Sequence, residues 1–120
     1  MEEYTLGTIE GKFADIIWEK EPLSTNELIK ICEKEFNWKR TTTYTVLKRL
    51  SQKGIFQNKE GTVTSMISKQ DFYACQSELY VENSFSGSLP QFLAAFTTRK
   101  KLSQNEIEEL KKIIESSSEK

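Results

Sequence analysis

The chain has 120 residues, 37% of them apolar and 29% charged, with a net charge of −1 and no histidine. Such a composition suits one soluble domain, or one small domain with an appendage, and excludes His-based triads, His general bases and most zinc catalysis. No apolar run approaches the roughly 18 residues of a membrane span.

The opening MEEYTLGTIEG is acidic and lacks the basic-then-apolar form of a signal peptide, so a cytoplasmic protein without membrane insertion is expected. Periodicity predicts a first helix after Thr8, with Ile9, Phe13, Ile16 and Ile17 on its inner side. It should end before Glu21-Pro22, because proline disfavours helix in the residue ahead of it. Ser24 and Glu27 then form a capping box that opens a second helix running to about Phe36. Leu28, Cys32 and Phe36 repeat every fourth residue on its inner face, with Ile29 beside them. Trp38 is the hinge before a third helix, which stops at Gly54, a left-handed cap.

Ile55–Asn58 and Thr62–Ile67 are β-rich runs around a Lys-Glu-Gly turn and predict a hairpin. Ser68 starts a fourth helix reaching about Asn83, and SFSGS, Ser84–Ser88, is a flexible joint. LPQFLAAF forms a short apolar helix. A second capping box, Ser103 with Glu106, opens a last helix carrying Ile107, Leu110, Ile113 and Ile114. The two cysteines, Cys32 and Cys75, belong to no metal or redox motif and read as small hydrophobes. No Gly-rich phosphate loop occurs, and no cofactor or metal is expected.

Three helices followed by a hairpin describe a winged helix-turn-helix, with the second and third helices joined tightly around Asn37–Lys39. The fold class expected is mainly α with a small β-hairpin. Residues 1–68 form the winged-helix domain and 69–120 a helical dimerisation region. That last segment has apolar faces but too little bulk for a core of its own, so it needs a partner, most simply a second copy.

Charge is distributed unevenly. Residues 1–35 carry nine acids against four lysines, whereas residues 36–59 carry six basic groups and no acid. On a helical wheel of about 100° per residue, Thr43, Val46, Leu47 and Leu50 face inward. Thr41, Tyr44, Thr45, Lys48 and Gln52 face outward, flanked by Thr42, Arg49 and Lys53 on one edge and Arg40 on the other. Threonine hydroxyls and methyls suit base edges and thymine methyls. Arg40, Lys48, Arg49 and Lys53 reach phosphates. A bland alternative has Thr41 or Thr42 merely capping the first turn of a solvated helix. Another makes the basic face of residues 39–53 the contact of a helical protein–protein interaction module. An enzyme would need a cleft that no motif marks.

The run NWKRTTTYTVLKRLSQKGIF, the upstream Glu10…Phe13…Ile17-Trp18 pattern, and the downstream LAAF and LSQNEIEELKKII resemble the penicillinase-repressor family (BlaI/MecI/CopY type) of bacterial regulators. The resemblance implies a winged-helix transcriptional repressor that binds a palindromic double-stranded operator as a homodimer. It places base-facing positions at Thr41, Thr42, Tyr44 and Thr45, and matches Arg49 to a family arginine. Dimerisation then falls to Phe92, Leu93, Phe96, Ile107, Leu110, Ile113 and Ile114. For β-lactam-responsive relatives it also implies inactivation by cleavage, triggered by a membrane sensor-protease; the matching bond is Ala95–Phe96. Lys39-Arg40-Thr41 departs from the Ser-Pro-Lys of many relatives, so operator sequence does not transfer. The ending ESSSEK lacks the cysteine-rich tail of copper-responsive relatives.

Overall fold

The computed structural model describes residues 6–117. Its first helix, α1 (Thr8–Lys20), stops where Glu21 turns to extended backbone ahead of Pro22. A two-residue strand, β1 (Leu23–Ser24), leads into α2 (Thr25–Phe36). The Ser24 hydroxyl accepts the Glu27 N–H at 3.0 Å, and the Glu27 carboxylate accepts the Ser24 N–H at 2.8 Å, completing the expected capping box. Asn37 closes α2 in the left-handed region, at φ 58°, and Lys39 leads into α3 (Arg40–Gln52).

The hairpin joins β2 (Phe56–Lys59) to β3 (Thr62–Ser65). Glu60 and Gly61 have φ of 55° and 87°, as a two-residue turn matched to strand twist requires. The Asn58 side chain accepts the Gly61 N–H at 3.0 Å and tightens it. β1 adds to the hairpin, pairing antiparallel with β3 through Leu23–Val63 and Ser24–Thr62, which gives the sheet order β1-β3-β2. Two residues are too few to show a strand period, so only pairing with β3 reveals β1.

Phe13, Ala14 and Ile17 of α1, Leu28 and Cys32 of α2, and Val46, Leu47 and Leu50 of α3 are buried together. They meet Leu23, Ile55, Phe56 and Val63 from the sheet region, and Phe72 of α4 (Lys69–Ser84). Ile9, placed on the inner side by periodicity, is instead 46% exposed. It occupies the first turn of α1, one turn before the buried Phe13. Trp18 packs its ring against Phe56 and Phe72 at 5.4 and 5.6 Å, while its Nε1–H donates to the Ile67 carbonyl at 3.0 Å. Both needs of a half-buried indole are thereby met. Trp38 stacks on Phe36 and Phe13, which holds the α2–α3 turn to the core.

Glu21 contributes a polar anchor to the same unit. Its carboxylate accepts the Ser65 N–H at 2.7 Å and the Ser65 hydroxyl at 2.9 Å, tying the end of α1 to the end of β3. Lys69 pairs with Asp15 at 3.0 Å and ties the start of α4 to α1.

Compactness divides the chain between Leu79 and Tyr80, inside α4, whereas the sequence-based boundary falls at residue 68. Phe72, fully buried, is the reason: the first turns of α4 belong to the winged-helix core. In the second unit, Ser86 and Gly87 turn the chain with φ of 52° and 80°. Then follow α5 (Leu89–Arg99) and α6 (Gln104–Ser117), each begun by a serine. Ser88 accepts the Gln91 N–H, and Ser103 the Glu106 N–H, both at 3.1 Å. Tyr80, Phe85 and Phe92 pack edge-on at 5.6–6.1 Å, yet no residue of α5 or α6 is buried.

Candidate nucleic-acid interface

The third helix divides as its wheel predicts. Thr43, Val46, Leu47 and Leu50 are buried, while Arg40, Thr41, Tyr44, Thr45, Lys48 and Arg49 are exposed and Thr42 and Lys53 are half-buried. The three threonines therefore differ: Thr41 faces solvent, Thr42 lies on the flank, and Thr43 is 1% exposed in the core. Lys39, the N-cap residue of α3, makes no side-chain cap hydrogen bond. A helix N-terminus of this kind suits an anion.

Local contacts order the outward face. The Arg40 guanidinium lies 5.7 Å from the centre of the Tyr44 ring, close enough for a cation–π contact. The Thr45 hydroxyl donates to the Thr41 carbonyl at 2.9 Å. Its proton is committed, so Thr45 shows its surroundings a methyl group and an acceptor oxygen. Arg49 is held by Glu10 of α1: Nε donates to Oε2 at 2.7 Å, and Nη2 lies 2.6 Å from the same oxygen. Burial alone would raise the Glu10 carboxyl. The hydrogen bonds from Arg49 and the Gly7 N–H, with the charges of Arg49 and Lys53, outweigh it and hold the group below its usual range. Sequence reasoning missed this partner because 39 positions separate the two residues and no local spacing connects them.

At the wing tip Lys59 and Glu60 are both exposed, so the tip carries little net charge. Cys32 is buried and its thiol is pushed up to about 11, chiefly by burial, with the Thr43 hydroxyl offsetting part of the rise. Cys75 is half-buried and both thiols are free. The raised Cys32 thiol is therefore protonated and unreactive at neutral pH.

In the second unit, Phe92, Leu93, Phe96, Leu110 and Ile113 line an open groove of about 270 Å³ with Leu102, Glu106 and Glu109. Phe96, Ile113 and Ile114 are 44%, 57% and 60% exposed, and Ile107 is half-buried outside the groove. Ala95–Phe96 lies inside α5 with both residues exposed. Among the described residues no helix is long and apolar enough to cross a membrane, and no cluster of side chains could hold a metal ion.

A helix-turn-helix followed by a hairpin wing that β1 extends to three strands, with a basic, acid-free third helix whose polar face is exposed, defines a winged-helix protein of the nucleic-acid-binding class. The model of the penicillinase repressor family matches residues 6–116, and the chain belongs to that family. It is 34% identical over 104 residues to a penicillinase repressor of Bacillus licheniformis, covering 83% of this chain and 81% of that protein. It is 28% identical over 115 residues to the methicillin resistance regulatory protein MecI of Staphylococcus aureus strain Mu50, covering 92% and 94% of the two chains. The corresponding protein of Mammaliicoccus sciuri is 27% identical over the same length. The family is made up of transcriptional repressors, so the chain is a DNA-binding regulator of transcription and not an enzyme.

Proposed function

We propose that the protein is a cytoplasmic homodimeric repressor that binds a palindromic operator with α3 in the major groove. The observation that carries this reading is the outward face of α3, where Thr41, Tyr44 and Thr45 stand exposed among Arg40, Lys48 and Arg49. Thr41, Thr42, Tyr44 and Thr45 meet bases, and Arg40, Lys48, Arg49 and Lys53 meet phosphates. One such domain, with a weakly charged wing, makes few contacts. Two half-sites on one palindrome supply the affinity a repressor needs.

The second unit supplies the dimer. A pair of helices with no buried residue and four exposed large apolar side chains, Leu89, Phe96, Ile113 and Ile114, gains by covering them. We assign this contact to Phe92, Leu93, Phe96, Ile107, Leu110, Ile113 and Ile114. Cutting Ala95–Phe96 would break α5, separate the subunits and release the operator; a membrane sensor-protease is the partner that would trigger it. The exposure of that bond and the likeness to penicillinase and methicillin-resistance regulators support this switch.

The test is anisotropy of labelled duplexes tiled from DNA around the encoding gene, titrated at several salt concentrations against a scrambled duplex. Preferential binding of one duplex, falling steeply with salt and saturating at two chains, is expected. Sequence-blind binding throughout would overturn the reading in favour of an acidic protein partner for the basic face.

A further inference from the structure

Arg49 enters the DNA reading as a phosphate contact, but its guanidinium is not loose. Nε and Nη2 both engage Oε2 of Glu10, leaving Nη1 and one Nη2 hydrogen of the five-donor fork unengaged by it. Oε1 of Glu10 faces the Gly7 N–H at 3.3 Å. The Glu10 side chain is 19% exposed and that of Arg49 is 48% exposed. The acid therefore sits on the protein side of the pair, and the cation offers its remaining edge to solvent on the basic face.

We propose that Glu10 is a positioning residue for DNA binding, holding the Arg49 guanidinium so that its open edge meets a backbone phosphate. The proposal rests on the reading that α3 docks on a duplex. An unrestrained arginine surrenders rotamer freedom when it binds, and one already clamped surrenders less. Arg49 thus fixes the register of α3 against the phosphates, and α1 enters the interface through Glu10 without touching DNA.

Coulomb's law alone predicts the opposite sign. A carboxylate within a Debye length of a duplex repels it, so deleting Glu10 should tighten binding. Positioning predicts that deletion weakens it. The two accounts are separated by direction.

The experiment uses the full chain and the duplex selected by the tiled titration, with folding of each variant checked by circular dichroism. Glu10→Ala should weaken binding about two- to five-fold, the scale of an exposed ion pair. Glu10→Gln, which keeps an acceptor for Arg49, should recover most of the loss. In an Arg49→Ala background, Glu10→Ala should cause no further weakening, which a merely structural role would not produce. Tighter or unchanged binding in Glu10→Ala, or equal weakening in both backgrounds, would overturn the proposal. Failure of the underlying reading shows itself separately: the unsubstituted chain would then prefer no duplex, or Arg49→Ala alone would leave binding untouched.

Discussion

Thr43→Val tests how the third helix is divided. Thr43 is 1% exposed and its hydroxyl oxygen has no hydrogen-bond partner of proper geometry among the described residues. The Cys32 thiol beside it is a weak hydrogen-bonding group and only partly compensates. A buried polar group left unsatisfied costs about 1–3 kcal/mol. Valine keeps the volume and the β-branch, so helix propensity and packing against Val46, Leu47 and Leu50 change little. After allowance for the weak thiol contact, the substitution should stabilise the protein by about 1 kcal/mol, raising Tm by roughly 4 °C or more. Urea and thermal denaturation followed by circular dichroism measure this. DNA affinity should stay unchanged, because Thr43 has no path to the duplex. Destabilisation by more than about 1 kcal/mol would show that the hydroxyl is satisfied and refute the reasoning. A large loss of DNA binding without destabilisation would show that α3 presents a different face.

Three further outcomes follow from the same geometry. Ser24→Ala removes half of the reciprocal Ser24–Glu27 cap on α2 and should cost about 1 kcal/mol in urea denaturation; no measurable change would discount the cap. Leu110→Lys puts a charge into the apolar groove of the second unit, so sedimentation should find monomers whose operator affinity falls at least about ten-fold, whereas an intact dimer would move the contact elsewhere. Glu10 gives a pH signature. Its folded carboxyl lies below the unfolded value of 4.5, so its contribution is fully present above that value and lost as pH falls through the folded one. Urea midpoints taken from about pH 6 to about pH 3 should therefore fall less steeply in Arg49→Ala than in the parent chain; identical slopes would deny the coupling.

Much of the fold was legible because it is encoded locally. The boxes at Ser24–Glu27 and Ser103–Glu106 each lie within four residues, and the structure forms both. The inward and outward faces of α3 follow from helical geometry and apolar spacing, and even the different fates of Thr41, Thr42 and Thr43 could be read there. Features made by distant residues were not legible. β1 is a strand only because Leu23 and Ser24 meet β3 about 40 residues on. Phe72 looks from sequence like one more apolar residue of a later helix, but its burial carries the first turns of α4 into the first unit. Ile9 obeys the apolar period and is still exposed, so the period alone does not fix burial at the first turn of α1. The Glu10–Arg49 pair has no sequence signal at all. The apolar faces of α5 and α6 were visible in the sequence, and in the single chain no residue of either helix is buried.

The most direct test of the account is selection of binding sites from a randomised duplex pool by the full-length protein, with Thr41→Ala, Thr45→Ala and Lys48→Ala variants in parallel. One recovered motif made of two inverted half-sites is predicted. Its preference should relax at defined positions in the two threonine variants, while Lys48→Ala should keep the motif and lose affinity evenly with a shallower salt dependence. Recovery of no motif, or of a motif that all three variants read unchanged, would contradict the placing of α3 in the major groove.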